Sequence, residues 1–124
     1  MKISTQIETV ELAPKDMLCI QLDWAAGKAS GQMVGSLRGG VYWPGLTGYS
    51  PTQNWAQVGP LIFAEGISVQ KDGDDGLWSA YLRDNLFNED GHWQVGASPL
   101  IAATRCYVSI KLGALVNVPA ELND

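Results

Sequence analysis

The apolar positions of this chain fall into short alternating runs and two longer stretches at helical spacing. The clearest helical stretch is Gly96–Gly113, GASPLIAATRCYVSIKLG. Ser98 is a good N-cap, and Pro99 suits the first helical position. Gly113 is placed to close the helix in a left-handed conformation, with Lys111 in the last turn. At about 100° per residue, Leu100, Ile101, Thr104, Val108 and Leu112 form one apolar stripe. Ala103, Cys106 and Ile110 form a second, nearly opposite, and only Arg105 and Ser109 break the ring. A helix apolar on two sides is usually covered on two sides. Ser98–Leu112 is therefore expected to be central and buried.

A second helix is expected from Pro14 and Asp16, through MLCIQLDWAAGKASG, to Ser30-Gly31. Leu18, Leu22, Ala25, Ala26 and Ala29 make its main face. Ile20 and Trp24 point away from it and need a cover of their own, from the N-terminal strand, a loop or a second subunit. Strands are expected where residues alternate: Lys2–Leu12, Ile67–Gln70, Leu77–Leu82, His92–Val95 and Ala114–Val118, with Pro119 ending the last. Asp72–Gly76 and Asn88–Gly91 read as turns, the first closing a hairpin. Ser50-Pro51 opens a short helical turn through Ala56. Gly59-Pro60 opens a second, through Glu65, which Gly66 ends. Gln32–Gly48 is glycine-rich and irregular around Val41-Tyr42-Trp43. A short acidic tail follows Pro119. The fold class this predicts is α+β: one domain over residues 1–124, with short antiparallel strands packed against two main helices.

At 124 residues the chain can bury a core without metal or disulfide staples. Its formal charge of −5 repels a phosphate backbone, so non-specific nucleic-acid binding is disfavoured. No stretch approaches the roughly 18 apolar residues of a membrane span. The polar start, MKISTQIETVEL, lacks a signal peptide's apolar core, which points to the cytoplasm. There a reducing environment keeps Cys19 and Cys106 as thiols.

Motifs for chemistry fail one by one. The glycines of 32–48 match no phosphate-binding fingerprint. Counting an EF-hand from Asp72 puts Gly76 at position five and Arg83 at position twelve, so the calcium pattern breaks. The single histidine, His92, and two cysteines make no zinc pattern. A Cys–His pair would need a source of thiolate activation, and none is visible. No cofactor, metal or catalytic set is assigned. What remains is the segment Tyr49–Gly66, where Tyr49 and Trp55 mix with Ser50, Gln53 and Asn54. Loops of this composition suit recognition. Asp23 and Arg105 interrupt apolar helices and need partners. They are expected either to pair with each other or, for Arg105, to hold the Tyr49–Trp55 loop.

Four segments carry a resemblance: LDWAAGKASG (Leu22–Gly31), YSPTQNWAQVGPLIFAEGI (Tyr49–Ile67), Trp78-Ser79-Ala80, and SPLIAATRCYVSIKLGALVNVP (Ser98–Pro119). In this order they resemble the NinX-like family of small phage and prophage proteins. They make up about half the chain, and the last is the most specific. Val58 stands where the family often has a second glycine, and the start, Met1–Leu12, extends beyond the usual family beginning. The resemblance implies a phage or prophage origin and a bacterial cytoplasm. It carries no catalytic residue over. It does mark Asp23, Tyr49, Ser50, Pro51, Trp55, Gly59, Pro60 and Arg105 as family motif positions. Tyr49, Ser50, Asn54, Trp55, Arg105 and Asp23 are thus the candidate ligand-binding residues. The expected function is a binding module for a protein or small molecule, with a homodimer possible. The rivals are an acidic inhibitor of a host nucleic-acid enzyme and a small Cys/His hydrolase or transferase.

Overall fold

The computed structural model describes residues 9–32, 49–73, 75–82 and 92–123. In order they form strand β1 (Thr9–Leu12), a 3-10 turn (Pro14–Asp16), helix α1 (Cys19–Ser30), helix α2 (Trp55–Glu65), strands β2 (Ile67–Asp72), β3 (Leu77–Leu82) and β4 (Gln94–Gly96), helix α3 (Pro99–Leu112), strand β5 (Val116–Pro119) and a 3-10 turn (Ala120–Asn123). The expectations for 2–8, for Gln32–Gly48 beyond residue 32, and for the Asn88–Gly91 turn lie outside the described residues.

The fold is α+β. Strands β2, β3 and β4 form one antiparallel sheet, with Ile67 opposite Leu82 and Ala80 opposite Gln94. Strands β1 and β5 form a separate antiparallel pair, with Leu12 opposite Val116. Helix α3 packs against α1, α2 and all three strands of the larger sheet. Its Ala102, Ala103, Thr104, Cys106 and Val108 are fully buried. One core cluster joins Leu22, Ala25 and Ala26 of α1 to Cys106, Tyr107 and Val108 of α3 and to Val116 and Val118 of β5. A smaller cluster, Val58, Leu100 and Ala103, lies under α2.

Helix α3 starts as its caps require: Ser98 Oγ accepts from the Ile101 amide at 3.1 Å. Its end departs from expectation. Gly113 has φ 97° and ψ −169°, outside the left-handed helical region and open to glycine alone. Ser109, expected to break the apolar ring, is buried because its hydroxyl meets His92 Nδ1 at 2.8 Å. At the α3 entrance the backbones nearly touch. A Cβ on Gly96 would sit 2.6 Å from the Ala102 amide nitrogen.

Three other elements differ from the sequence reading. The helix expected from Pro14 is interrupted: Met17 and Leu18 are extended, and α1 begins at Cys19. The buried Gln21 explains the restart, since its Oε1 accepts from the Leu18 amide at 2.7 Å and so caps α1. The two turns expected at 50–56 and 59–65 give way to one helix with Pro60 inside it. Pro60 forfeits its own amide bond, and Gly59 before it has no Cβ to clash with the ring. The C-terminal tail is not all solvated, because Leu122 is in the core.

Trp24, expected to need a cover, is 8% exposed and belongs to the core, with α1 packed on β5. Ile20 is half-buried against the same core. Neither side chain is left as an exposed apolar residue.

Candidate functional site

Asp23 organises the segment that leads into α2. It projects from α1 and is 4% exposed. Its Oδ2 accepts from Ser50 Oγ at 2.8 Å and Thr52 Oγ1 at 2.9 Å. Its Oδ1 accepts from the Thr52 amide at 2.9 Å. Burial raises the carboxyl pKa, and these three donors partly offset that rise. Asp23 thus ties the Ser50–Thr52 turn to the first helix. Tyr49 is buried beside it and its hydroxyl meets Ser30 Oγ at 3.3 Å. Burial also raises the Tyr49 pKa. Gln57 Oε1 accepts from the Ser50 amide, fixing the turn from the α2 side. Asn54 caps α2, its Oδ1 accepting from the Ala56 amide at 2.9 Å.

Arg105 does neither of the things expected of it. Its hydrogen bonds go to two backbone carbonyls: Nη1 donates to Val95 at 2.7 Å and Nη2 to Met17 at 3.3 Å. It pins β4 to the extended residues before α1. Its Nε is buried without a partner. Burial lowers its pKa, and nearby Cys19 and Asp16 push it back up. Asp23 anchors the loop, and Arg105 anchors β4 and the residues before α1.

The other candidate groups fall into structural places. His92 bonds Ser109. Cys106 is buried and its thiol is pushed up to about 12, so it stays protonated at neutral pH. Asp72 accepts from Ser79 Oγ and Asp75 from the Leu77 amide, so both carboxylates serve the hairpin. Among the described residues no group of three or more His, Cys, Asp or Glu converges as a metal site. Among the same residues no helix is long and apolar enough to cross a membrane.

What the anchored segment presents is the outer half of α2. At about 100° per residue, Trp55, Gly59, Phe63, Ala56, Pro60 and Ala64 share a single arc. Trp55 is 58% exposed and Phe63 is 89% exposed. Ala56, Pro60 and Ala64 are exposed too, and Gly59 is half-exposed. No residue of this arc has a polar side chain. The polar side chains of α2, Gln57 and Glu65, lie on its inner side and make internal contacts. Gln57 holds Ser50, and Glu65 pairs with Lys111 of α3 at 3.2 Å. Val58 and Leu61 are buried on that inner side, so α2 is apolar on its covered face and on its exposed face alike. Phe63 was missed in the sequence because splitting the segment at Pro60 placed it in a separate turn from Trp55. Reading one helix from the Asn54 cap puts them on one face.

The family model for bacteriophage P22 NinX matches residues 15–111. The chain belongs to the NinX family. The match runs from the 3-10 turn through most of α3, and so includes the Asp23 clasp, the whole of α2 and Arg105. The β1–β5 pair lies outside the part shared with NinX. A search of curated proteins finds no match.

Proposed function

We propose that this NinX-family protein is a phage accessory protein that works in the bacterial cytoplasm as a protein-binding module, with the outer half of α2 as its recognition surface. The observation that carries this reading is the exposed apolar arc of α2, with Trp55 and Phe63 on it. An apolar face of this kind on a soluble chain marks an interaction surface. Trp55, Gly59 and Phe63 stand at i, i+4 and i+8, the spacing of a helix laid into an apolar groove. The two aromatic rings are about 12 Å apart along the axis, by the rise of about 1.5 Å per residue. A ridge of that length suits a partner protein better than a small molecule, which needs a concave site. Asp23, Ser50, Thr52 and Gln57 hold the ridge from behind, so little order is lost when a partner arrives. In this reading Tyr49, Ser50 and Asp23 position the surface, Asn54 caps it, and Trp55 and Phe63 make the contact.

The test is quantitative affinity capture from phage-infected bacteria, using wild type, Trp55→Ala, Phe63→Gln and, as a control away from the face, Leu115→Asp. The expected result is a bacterial or phage protein recovered by wild type and Leu115→Asp and lost with both α2 variants. A Trp55→Ala change should weaken that contact by about 2 kcal/mol, the size of an aromatic hot spot. The same partners recovered at equal yield by all four proteins would refute the assignment of this face. Dimerisation abolished by Phe63→Gln would instead identify the partner as a second copy of the chain.

A further inference from the structure

A second site lies away from α2, where α1 and α3 both end beside β5. Trp24 and Lys28 of α1, Leu112 of α3, Leu115 of the connection and Val116 and Asn117 of β5 line a pocket of about 250 Å³. Its lining is divided in kind. Trp24, Leu112, Leu115 and Val116 give it an apolar wall. Lys28 and Asn117 give it one cation and one side-chain amide.

The charge at this pocket is unbalanced. Lys28 is exposed, and its Nζ lies over the Trp24 ring, 5.1 Å from the centroid. The ion pair found among the described residues is Lys111–Glu65, and among those residues Lys28 meets an aromatic face and no carboxylate. In a chain of net charge −5, an ammonium over an apolar pocket is a local exception. Two helix C-termini meet here, and bare terminal carbonyls would repel an anion. They are not bare. The Gly31 amide donates to Gly27 and Lys28, Gln32 donates to Gly27, and Gly113 donates to Ser109. Among the described residues that line the pocket, the one formal charge is positive.

We propose that this pocket binds a small amphipathic carboxylate. The ligand's carboxylate pairs with Lys28 Nζ and accepts from the Asn117 amide. Its aryl or alkyl body packs on Trp24, Leu112, Leu115 and Val116. The volume is below the roughly 300–1,000 Å³ of drug-sized sites, which limits the body to about one ring or a short chain. Charge-assisted hydrogen bonds are roughly twice as strong as neutral ones, so the ammonium selects the acid over its neutral analogue.

The probe is 4-phenylbutyrate, compared with 4-phenylbutan-1-ol, which has the same body and no charge. Binding is followed by NMR titration of the full chain. The expected result is saturable one-to-one binding of the acid, with shifts centred on Trp24, Leu112, Leu115, Val116 and Asn117. Lys28→Gln should weaken it about tenfold, the loss of a charge-assisted contact. The alcohol should bind more weakly, with no dependence on Lys28. Leu115→Asp should weaken the acid as well, by placing a like charge at the rim. Leu115 is exposed, so this variant keeps the test open should Lys28→Gln disturb the fold. The proposal is overturned if the acid shows no saturable binding at millimolar concentration. It is also overturned if Lys28→Gln and Leu115→Asp bind like wild type, or if acid and alcohol bind equally. None of these results depends on the face of α2.

Discussion

Helices α2 and α3 are both apolar around more of their circumference than one buried stripe requires, yet they end in opposite situations. Helix α3 is covered on every side that needs it: α1 on one flank, α2 on another, the three-stranded sheet on a third. Its Arg105 and Ser109 are absorbed by two carbonyls and a histidine. Helix α2 is covered on one side, by Leu100 and Ala103 of α3 beneath Val58, and leaves Phe63 nearly as exposed as an isolated side chain. The same excess of apolar residues therefore means core in one helix and contact surface in the other. What separates them is where their polar groups go. In α3 they reach neighbouring elements from a buried position. In α2 they turn inward and leave the outside apolar.

The strongest way to break this comparison is to release α2 from its support. Asp23→Ala leaves the buried Thr52 amide and two hydroxyls without their acceptor, and should cost about 2–3 kcal/mol of stability in urea denaturation. Asp23→Asn should cost less than half as much, because the hydroxyls of Ser50 and Thr52 can turn to accept from the new amide. A cost for Asp23→Ala no larger than for Asp23→Asn would show that the clasp does not hold the segment.

The cover of α3 is tested at Gly96. An alanine there meets the Ala102 backbone, which cannot yield as a side-chain tip does. Gly96→Ala should destabilise by about 1–3 kcal/mol, the usual cost of overpacking, measured by thermal melting. A neutral result would mean that β4 and α3 are looser than the structure shows.

The pH dependence of Asp23 sharpens the account of the clasp. Its pKa is raised in the folded chain, so the folded state keeps this proton to higher pH than the unfolded state does. Between the two values folding takes up a proton, and stability falls as pH rises. The fall starts near the unfolded carboxylate value of about 4 and ends once pH passes the folded value. Urea midpoints across acidic pH should show this slope in wild type, and Asp23→Asn should remove it.

The smallest expected effect is on the bare face itself. Phe63→Gln should change stability by less than about 0.5 kcal/mol, as for a surface position free of special contacts. A loss above 1–2 kcal/mol would place Phe63 in the core and remove the contrast between the helices.

How much of this could be read from the sequence follows from how far apart the determining residues lie. The limits of α3 were legible because Ser98, Pro99 and Gly113 act within a turn of the backbone they cap. The hairpin Ile67–Leu82 was legible for the same reason. The partners of Asp23 were not, because Ser50 and Thr52 lie 27 and 29 positions away. Nor were those of Arg105, since a backbone carbonyl has no side-chain signature. Tyr49, Ser50, Asn54, Trp55 and Asp23 do come together on one segment and its support, while Arg105 serves another part of the fold. The continuity of α2 was hidden by Pro60, whose usual effect is to stop a helix. With that continuity went the chance to see Phe63 beside Trp55.

Whether the α2 face is the contact surface can be measured by hydroxyl-radical footprinting of Phe63 and Trp55, in the purified protein and in the complex captured from infected cells. Both rings should be strongly oxidised in the isolated chain and clearly protected in the complex, with Leu115 unchanged. Rings already protected in the isolated chain, or oxidised equally in the complex, would contradict it.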